Sequence, residues 1–391
     1  MSEKKNAMPQ RSTVKHGTNQ KTIGNVSPEC DFVKADDDNF KKYSESLYNG
    51  RTLQPFAQKL IRELYPHRDN INYCKCNRVP LGEIIQLKRN EDLHRAHFSG
   101  VVTCGNPMLC PVCAPRIMGG RASEIGTAEY KHLAADPNNT CYLLTLTSQH
   151  DLRHSLAYYL SLMKKALKYF WSHRKVKHIF RSRVGRITAL EINYSLASGW
   201  HTHEHILIFC NILDIPLDEL NKILSECWIA ALKKCGLSGL RGIALDLIEA
   251  RSCDKYLQKI SSELALSNCK QGRGSGSFTP FQLLAEYAAG NKWAGEKFKE
   301  LYKTVSSMRV HPLQWSKGLK KHFGIGEVSD QDIVEDKDPS EKIVVWCNLK
   351  ASFFRKMSPQ DQFMLLIYAS AGDRDRFNQY LLTINDRSSP D

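Results

Sequence analysis

Three histidines at alternate positions, His201, His203 and His205, constrain the fold of this chain more than any other feature. The apolar run that follows, residues 206–209, predicts a β-strand. Because successive side chains of a strand point to opposite faces, all three imidazoles would share one face. Neighbouring histidines would lie about 6.6 Å apart at Cα, close enough for two of them to bind one ion. Since imidazole is the commonest protein metal ligand, the pattern predicts a metal site; a polar strand edge is the alternative.

A carboxylate is expected to complete this metal site. Glu191 stands among apolar residues on the preceding predicted strand, which a short turn joins to the histidine strand. Burying a glutamate without a partner is costly, so we expect a metal or a cation beside it. Two histidines and one glutamate suit Mg²⁺ or Mn²⁺ acting on a phosphate. A structural salt bridge made by Glu191 is the alternative.

Cysteines of residues 104–113 are spaced like the ligands of a second metal. A Cys-x-x-Cys turn that contains a proline presents two thiolates together, and a third cysteine lies just before it. The spacing predicts a structural zinc knuckle, and 13 cysteines without a secretion signal favour a reduced, cytoplasmic compartment. The expected zinc ligands are Cys104, Cys110, Cys113 and Cys76, and the alternatives for the last of these are Cys74 and His97.

The charge of the chain favours an anionic partner. Among 391 residues, 55 are Lys or Arg and 41 are Asp or Glu, which gives a formal net charge of +14. This balance favours nucleic acid, with an ordinary soluble basic protein as the alternative. Residues 152–171 predict a basic amphipathic helix, and the expected DNA-binding residues there and just after it are Lys164, Lys165, Lys168 and Arg174.

The order of predicted elements indicates an α+β fold. From residue 141 the chain reads as strand, helix, strand, strand, helix, strand, which is the split βαβ order of a ferredoxin-like antiparallel sheet. In such a sheet the histidine strand would lie centrally. The last strand is predicted at residues 240–248 and a helix at 254–266.

Five regions are expected along the chain. Residues 1–48 predict a disordered basic arm with no apolar segment for a signal peptide or a membrane span, and residues 49–136 hold a helix and the zinc knuckle. The sheet core occupies residues 137–270, and a helical extension occupies 271–325. An acidic linker and a small helical tail make up residues 326–391.

The helix predicted after the last strand carries a candidate nucleophile. Tyr256 and Lys259 are three residues apart and would share one helix face. A tyrosine hydroxyl titrates near pH 10, so it needs a neighbouring cation or metal to act as a nucleophile. Lys259 could stabilise the phenolate or bind a phosphate oxygen; ordinary surface packing is the alternative.

Taken in order, these segments resemble the rolling-circle plasmid replication initiators (Rep proteins) of the HUH endonuclease superfamily. The resemblance extends over residues 70–325. The similar segments are 104–114, 144–147 with His150, 201–209, 256–259, 262–264, 279–284 and 313–319.

The resemblance implies a function and its residues. His203 and His205 would be the metal-binding pair, and Tyr256 would be the nucleophile of a nuclease core. The protein would nick one strand of a plasmid origin, form a 5′-phosphotyrosine bond and free a 3′-OH primer. Mg²⁺ or Mn²⁺ would be the catalytic metal, with origin DNA, a host helicase and a host polymerase as partners.

The sequence departs from the family pattern at two places. The position between the paired histidines is usually apolar in the superfamily but is Glu204 here, so His201 and His203 are an alternative pair. Some relatives have a glutamate four residues before the tyrosine that activates water at termination. That position is Ser252 here, and the alternatives for this role are Glu249 and Asp254.

Two other readings are open, and the order of the motifs disfavours a third. A metal-dependent hydrolase would use metal-bound water and form no covalent adduct. A non-enzymatic zinc-containing protein would bind DNA through its basic helix and arm. Conjugative relaxases share the tyrosine chemistry, but they tend to place the tyrosine before the histidines, whereas Tyr256 follows them.

Overall fold

The computed structural model describes residues 38–66, 81–91, 95–250, 276–335 and 343–388. The helices are α1 (Asp38–Leu64), α2 (Cys113–Ala135), α3 (Leu156–Ser172), α4 (Arg174–Ile179), α5 (Leu217–Lys234), α6 (Pro280–Ala288), α7 (Lys292–Met308), α8 (Leu319–His322), α9 (Asp330–Val334), α10 (Ala351–Lys356), α11 (Pro359–Ala371) and α12 (Arg374–Ser388). The strands are β1 (Ile84–Asn90), β2 (Arg95–Ser99), β3 (Asn139–Leu146), β4 (Gly185–Ser195), β5 (Gly199–Asn211), β6 (Leu245–Ala250), β7 (Ser277–Phe278), β8 (Leu313–Trp315) and β9 (Ile343–Lys350).

The larger sheet is antiparallel throughout and has the histidine strand inside it. Its order is β6-β3-β5-β4-β7, and β8 also pairs with β4. Helix α3 connects β3 to β4, and α5 connects β5 to β6. The predicted α+β class is confirmed, and β5 lies between β3 and β4 as expected.

The two faces of this sheet have different covers. Glu204 is buried on the face where α3 and α5 pack, and the Trp228 indole of α5 donates a hydrogen bond to the Thr147 carbonyl at 2.7 Å. On the opposite face α2 covers the far end of β5, where the rings of His132 and Phe209 lie 5.4 Å apart. The histidine end of that face is accessible, since the side chain of His203 is 28% exposed.

A second sheet, of order β2-β1-β9, joins the segment around the cysteines to the C-terminal region. Its apolar side forms a separate core with α10 and α11, in which the rings of Phe98 and Phe354 lie 5.0 Å apart. The tail predicted to be helical therefore contains a strand, and α9 lies inside the predicted acidic linker. The cause is the apolar alternation of β1, because Ile85 and Leu87 face a core that the paired strand β9 extends and α10 and α11 cover. The region boundaries themselves stay predictions.

Two predicted boundaries differ from the structure for local reasons. Helix α3 begins at Leu156 rather than residue 152, because the Ser155 side chain caps it by accepting from the Tyr158 N–H. Strand β6 begins at Leu245 rather than residue 240, because residues 240–244 form a turn closed by the Ala244 N–H and the Leu240 carbonyl. The helix predicted at residues 254–266 lies outside the described residues.

No helix in the described ranges is both long and apolar enough to cross a membrane.

Candidate metal centre

Glu191, His203 and His205 form a compact group on the accessible face of the larger sheet. Glu191 of β4 stands directly opposite His203 of β5, and each of the three offers a ligand atom within 4.8 Å of the others. Glu191 Oε2 lies 3.1 Å from His205 Nε2 and 3.5 Å from His203 Nδ1. Adjacent ligands of an octahedral Mg²⁺ are about 3 Å apart, given bonds of about 2.1 Å. The donor set and its spacing therefore fit such an ion.

Two neighbouring side chains orient this group, and neither was expected from the sequence. Thr145 Oγ1 lies 3.1 Å from Nδ1 of His205, which leaves Nε2 of that ring facing Glu191. Asn193 donates a hydrogen bond of 2.8 Å to Glu191 Oε1, so the other carboxylate oxygen is the one that faces the histidines. Such outer partners fix ligand tautomer and orientation. Asn193 could have been found because it lies two residues after Glu191 on β4, and Thr145 because it pairs with His205 across β3 and β5.

The electrostatics of the group keep its acid ionised. Burial alone would raise the pKa of Glu191, but the hydrogen bonds from His203, His205 and Asn193 outweigh it and lower that pKa strongly. A carboxylate is the form that binds a metal. Glu191 is thus in the ligand state at neutral pH.

The ring of His201 lies 4.2 Å from that of His203, but His201 is not one of the three residues whose ligand atoms cluster. Thr147 Oγ1 lies 2.9 Å from His201 Nε2 and 3.1 Å from the Thr202 carbonyl oxygen. Its ring stacks on His150 at 4.1 Å between centroids. Burial, then the charges of His203 and His150, lower the pKa of His201 to about 3, so it is neutral. The geometry groups His203 with His205 and Glu191, and not with His201.

Glu204, the residue that departs from the family pattern, faces away from the metal group. It lies between His203 and His205 in sequence and is buried on the opposite face of β5. Burial raises the pKa of its carboxyl to about 8, and the charge of Lys164 on α3 opposes that shift. Its presence therefore leaves the alternation of the histidines intact.

The cysteine group is also compact, just before and at the start of α2. The ligand atoms of Cys104, Cys110 and Cys113 all lie within 4.8 Å of one another, and the first and last sulfurs are 3.7 Å apart. Tetrahedral zinc with Zn–S bonds of about 2.3 Å separates its sulfurs by about 3.8 Å. The three thiols therefore fit zinc. The fourth expected ligand, Cys76, and its alternative Cys74 lie outside the described residues.

The predicted DNA-binding residues lie on the other side of the sheet from the metal group. Lys164, Lys165 and Lys168 are exposed on α3, and Arg174 is exposed at the start of α4. The structure does not bring them beside the histidines, because α3 packs on the face that carries Glu204.

The structure describes only one of the acids predicted for the termination step, and it does not describe the predicted nucleophile. Glu249 accepts a hydrogen bond from the Tyr142 hydroxyl at 3.3 Å, on the face opposite the metal group. Asp246 stands opposite Thr145 in the β3–β6 pairing, so it shares the face of His205. The predicted residues Tyr256, Lys259, Ser252 and Asp254 lie outside the described residues.

Comparison with known proteins identifies a relative. A curated protein named "Protein rep", from Streptomyces lividans, is 23% identical to this chain in an alignment 312 residues long. The match covers 60% of this chain and 67% of the relative. No protein-family model and no solved structure matches the chain. The relative's name confirms the resemblance to Rep proteins that the motifs indicated.

Proposed function

We propose that this chain is a rolling-circle plasmid replication initiator that nicks one DNA strand at its origin. The observation that carries the proposal is the group of Glu191, His203 and His205 on an accessible sheet face, in a chain whose relative is named a Rep protein. The strand order around that group supports the further inference that the core is ferredoxin-like.

The proposed reaction is a transfer of the DNA strand to a tyrosine. The hydroxyl oxygen of Tyr256 attacks the scissile phosphorus, the bond from phosphorus to the 3′-oxygen breaks, and that oxygen takes a proton to become the primer 3′-OH. The 5′-phosphate stays on Tyr256 until a later 3′-OH rejoins the strand. Lys259 is proposed to stabilise the phenolate or the phosphate.

The chain's own residues prepare the phosphate for this step. His203, His205 and Glu191 would hold Mg²⁺ or Mn²⁺, with Thr145 and Asn193 fixing their orientation. A divalent ion held there would polarise the phosphate and offset its developing charge. The side chains of all three ligands are partly exposed, as an approach by a DNA strand from that face would require.

The remaining parts of the proposal concern structure and partners. Cys104, Cys110, Cys113 and Cys76 are proposed to hold structural zinc, supported by the spacing of the first three. The lysines of α3 are proposed to bind origin duplex from the far side of the sheet. A host helicase and polymerase in a bacterial cytoplasm would use the nicked product.

The test is nicking of supercoiled DNA that carries the origin of the plasmid encoding this chain, with Mn²⁺ or with a chelator. We expect wild type and the exposed-histidine control His178→Ala to nick only with metal, and His205→Ala to lose nicking. Nicking by His205→Ala at the wild-type rate would contradict the proposed site.

A further inference from the structure

A cleft of about 520 Å³ opens on the β4 side of the metal group, among α2, β8 and α9. Leu313 in its wall stands opposite Ala189 of β4, and Ala189 stands opposite His205 of β5. Paired strands are about 4.8 Å apart, so this wall lies about 10 Å across the same face from His205. The cleft and the metal group therefore lie on the same face of the sheet.

The near end of the cleft points toward the acid of the metal group. Its lining includes His311, which falls opposite Glu191 when the β4–β8 register is extended by two residues. The Leu190 N–H donates a hydrogen bond of 2.9 Å to the Pro312 carbonyl, so the two segments of backbone are still paired at that point. A DNA strand whose scissile phosphate lies at the metal group would therefore have its neighbouring nucleotides beside the cleft.

The cleft offers an aromatic ring and free hydrogen-bond donors. The indole N–H of Trp315 is buried and has no hydrogen-bond partner among the described residues. The Ser316 hydroxyl accepts from the Arg186 N–H at 3.0 Å, which leaves its own hydrogen free to donate. A buried donor without a partner is costly, and an acceptor on a ligand would satisfy it.

Ion pairs hold the charged wall of the cleft in place. Arg121 of α2 lies 2.7 Å from Asp330 and 2.6 Å from Glu124, and Lys320 lies 2.9 Å from Glu124. Lys317, in contrast, is exposed and has no ion-pair partner within the described ranges. The wall is thus preorganised, and one cation is available to a phosphate.

We propose that this cleft holds one unpaired nucleotide of the DNA strand being cut, close to the scissile phosphate. Its volume is in the range of small-ligand sites, about 300–1,000 Å³. The base would take the Trp315 N–H and the Ser316 hydroxyl as donors, and Lys317 would contact the neighbouring phosphate. This inference rests on the proposed nicking function and assigns a base-reading site to it.

The test measures whether the effect of removing one DNA base depends on a residue of the cleft. Single-stranded origin oligonucleotides, each abasic at one position near the nick, are cut with Mn²⁺ by wild type and by Trp315→Phe, which keeps an aromatic ring but removes the N–H. We expect one abasic position to slow wild-type cutting about tenfold. In Trp315→Phe the same abasic substitution should slow cutting about fivefold less than it does in wild type. The reason is that the variant has no indole N–H, so removing the base loses no hydrogen bond to it.

Trp346→Phe is the matched control, because that indole N–H also lacks a partner among the described residues but lies in the second sheet. It should keep the full wild-type penalty. Lys317→Gln removes an exposed side chain and should weaken cutting of the intact strand with less risk to folding.

Two results would overturn the inference without touching the proposed function. An abasic penalty that is the same in wild type and Trp315→Phe at every position would show that the cleft reads no base. If a free nucleotide binds in the cleft but the abasic penalty on DNA does not depend on Trp315, the cleft binds a different ligand. Failure of wild type to cut the intact strand would instead overturn the proposed function, and this inference with it.

Discussion

Glu191 is the residue on which the charge of the candidate metal centre depends. It is the acid of the three-ligand group, and its contacts with His203, His205 and Asn193 keep it ionised. The residues around it divide by face, since Asp246 lies on its side of the sheet and Glu249 on the other. The strand register therefore decides which acids lie on the same face as the candidate metal centre.

Replacing Glu191 by glutamine should weaken metal binding and nicking. The amide keeps the shape but removes the negative charge that pairs with the ion. Changes to outer partners of a metal typically cost 10–100-fold, so we expect the loss of a ligand charge to cost about 100-fold in metal affinity. Titration with Mn²⁺ measures it. Glu249→Gln is the control and should bind Mn²⁺ like wild type; an equal loss in both variants would contradict the site.

Glu129 should make the stability of the fold depend on pH. Burial raises the pKa of its carboxyl to about 8, and neither oxygen has a hydrogen-bond partner among the described residues. An unfolded glutamate titrates near pH 4.3, so the folded chain keeps a proton that the unfolded chain releases. The free energy of unfolding should therefore fall as pH rises from about 4.3 to about 8.

Glu129→Gln should remove that part of the pH dependence, which is of the order of 3 kcal/mol by pH 7. Urea unfolding of both proteins at acidic and neutral pH measures it. The exposed-acid control Glu219→Gln should follow the wild-type curve. An unchanged slope in Glu129→Gln would mean that the carboxyl is not buried as a neutral acid.

At the scale of elements, helix α3 is proposed to contribute DNA affinity separately from cleavage. Its apolar side packs on the sheet, while Lys165 and Lys168 are exposed on the face opposite the metal group. Contacts to phosphates made there would contribute affinity without touching the scissile bond.

Lys165→Gln combined with Lys168→Gln should lower the salt dependence of duplex binding. Removing one lysine–phosphate interaction should reduce the log–log salt slope by about 0.9, so we expect the double variant to change it by about 2. Fluorescence anisotropy over a salt series measures it, and cutting of a short single strand should be nearly unchanged. The control Lys350→Gln with Arg355→Gln should keep the slope. A loss of cutting equal to the loss of binding would place α3 at the active site.

The elements also show how far sequence reasoning extends. Alternation on β5 and the apolar runs of β3 and β4 predicted these strands, because period two is a local property. The pairing of β9 with β1 joins residues more than two hundred positions apart, and no local pattern encodes it. The contacts of Thr145 and Asn193 likewise depend on register and rotamer, which the sequence does not specify.

At the scale of the whole molecule, two apolar cores divide the chain. One lies within the larger sheet and its helices, and the other joins β1 and β2 to the C-terminal segment. Segments distant in sequence should therefore lose protection together when the smaller core is disturbed.

Phe354→Ala should loosen the smaller core as a unit. The ring is fully buried against Phe98, and such a truncation costs about 3–5 kcal/mol. Hydrogen exchange should rise in β1, β2 and α10 together, with little change in β3 and β5. Leu382→Ala, at a position 64% exposed, should leave exchange unchanged. A rise confined to α10 would show that the tail does not share a core with β1.

The proposed function depends above all on a covalent bond between Tyr256 and the DNA strand. Peptide mass spectrometry detects that bond after wild type and Tyr256→Phe react with an origin strand and Mn²⁺. We expect a 5′-linked nucleotide on the wild-type peptide containing Tyr256, and no nicking by Tyr256→Phe despite retained DNA binding. Nicking by Tyr256→Phe at the wild-type rate, with no adduct on any peptide, would contradict the proposal and assign the reaction to water.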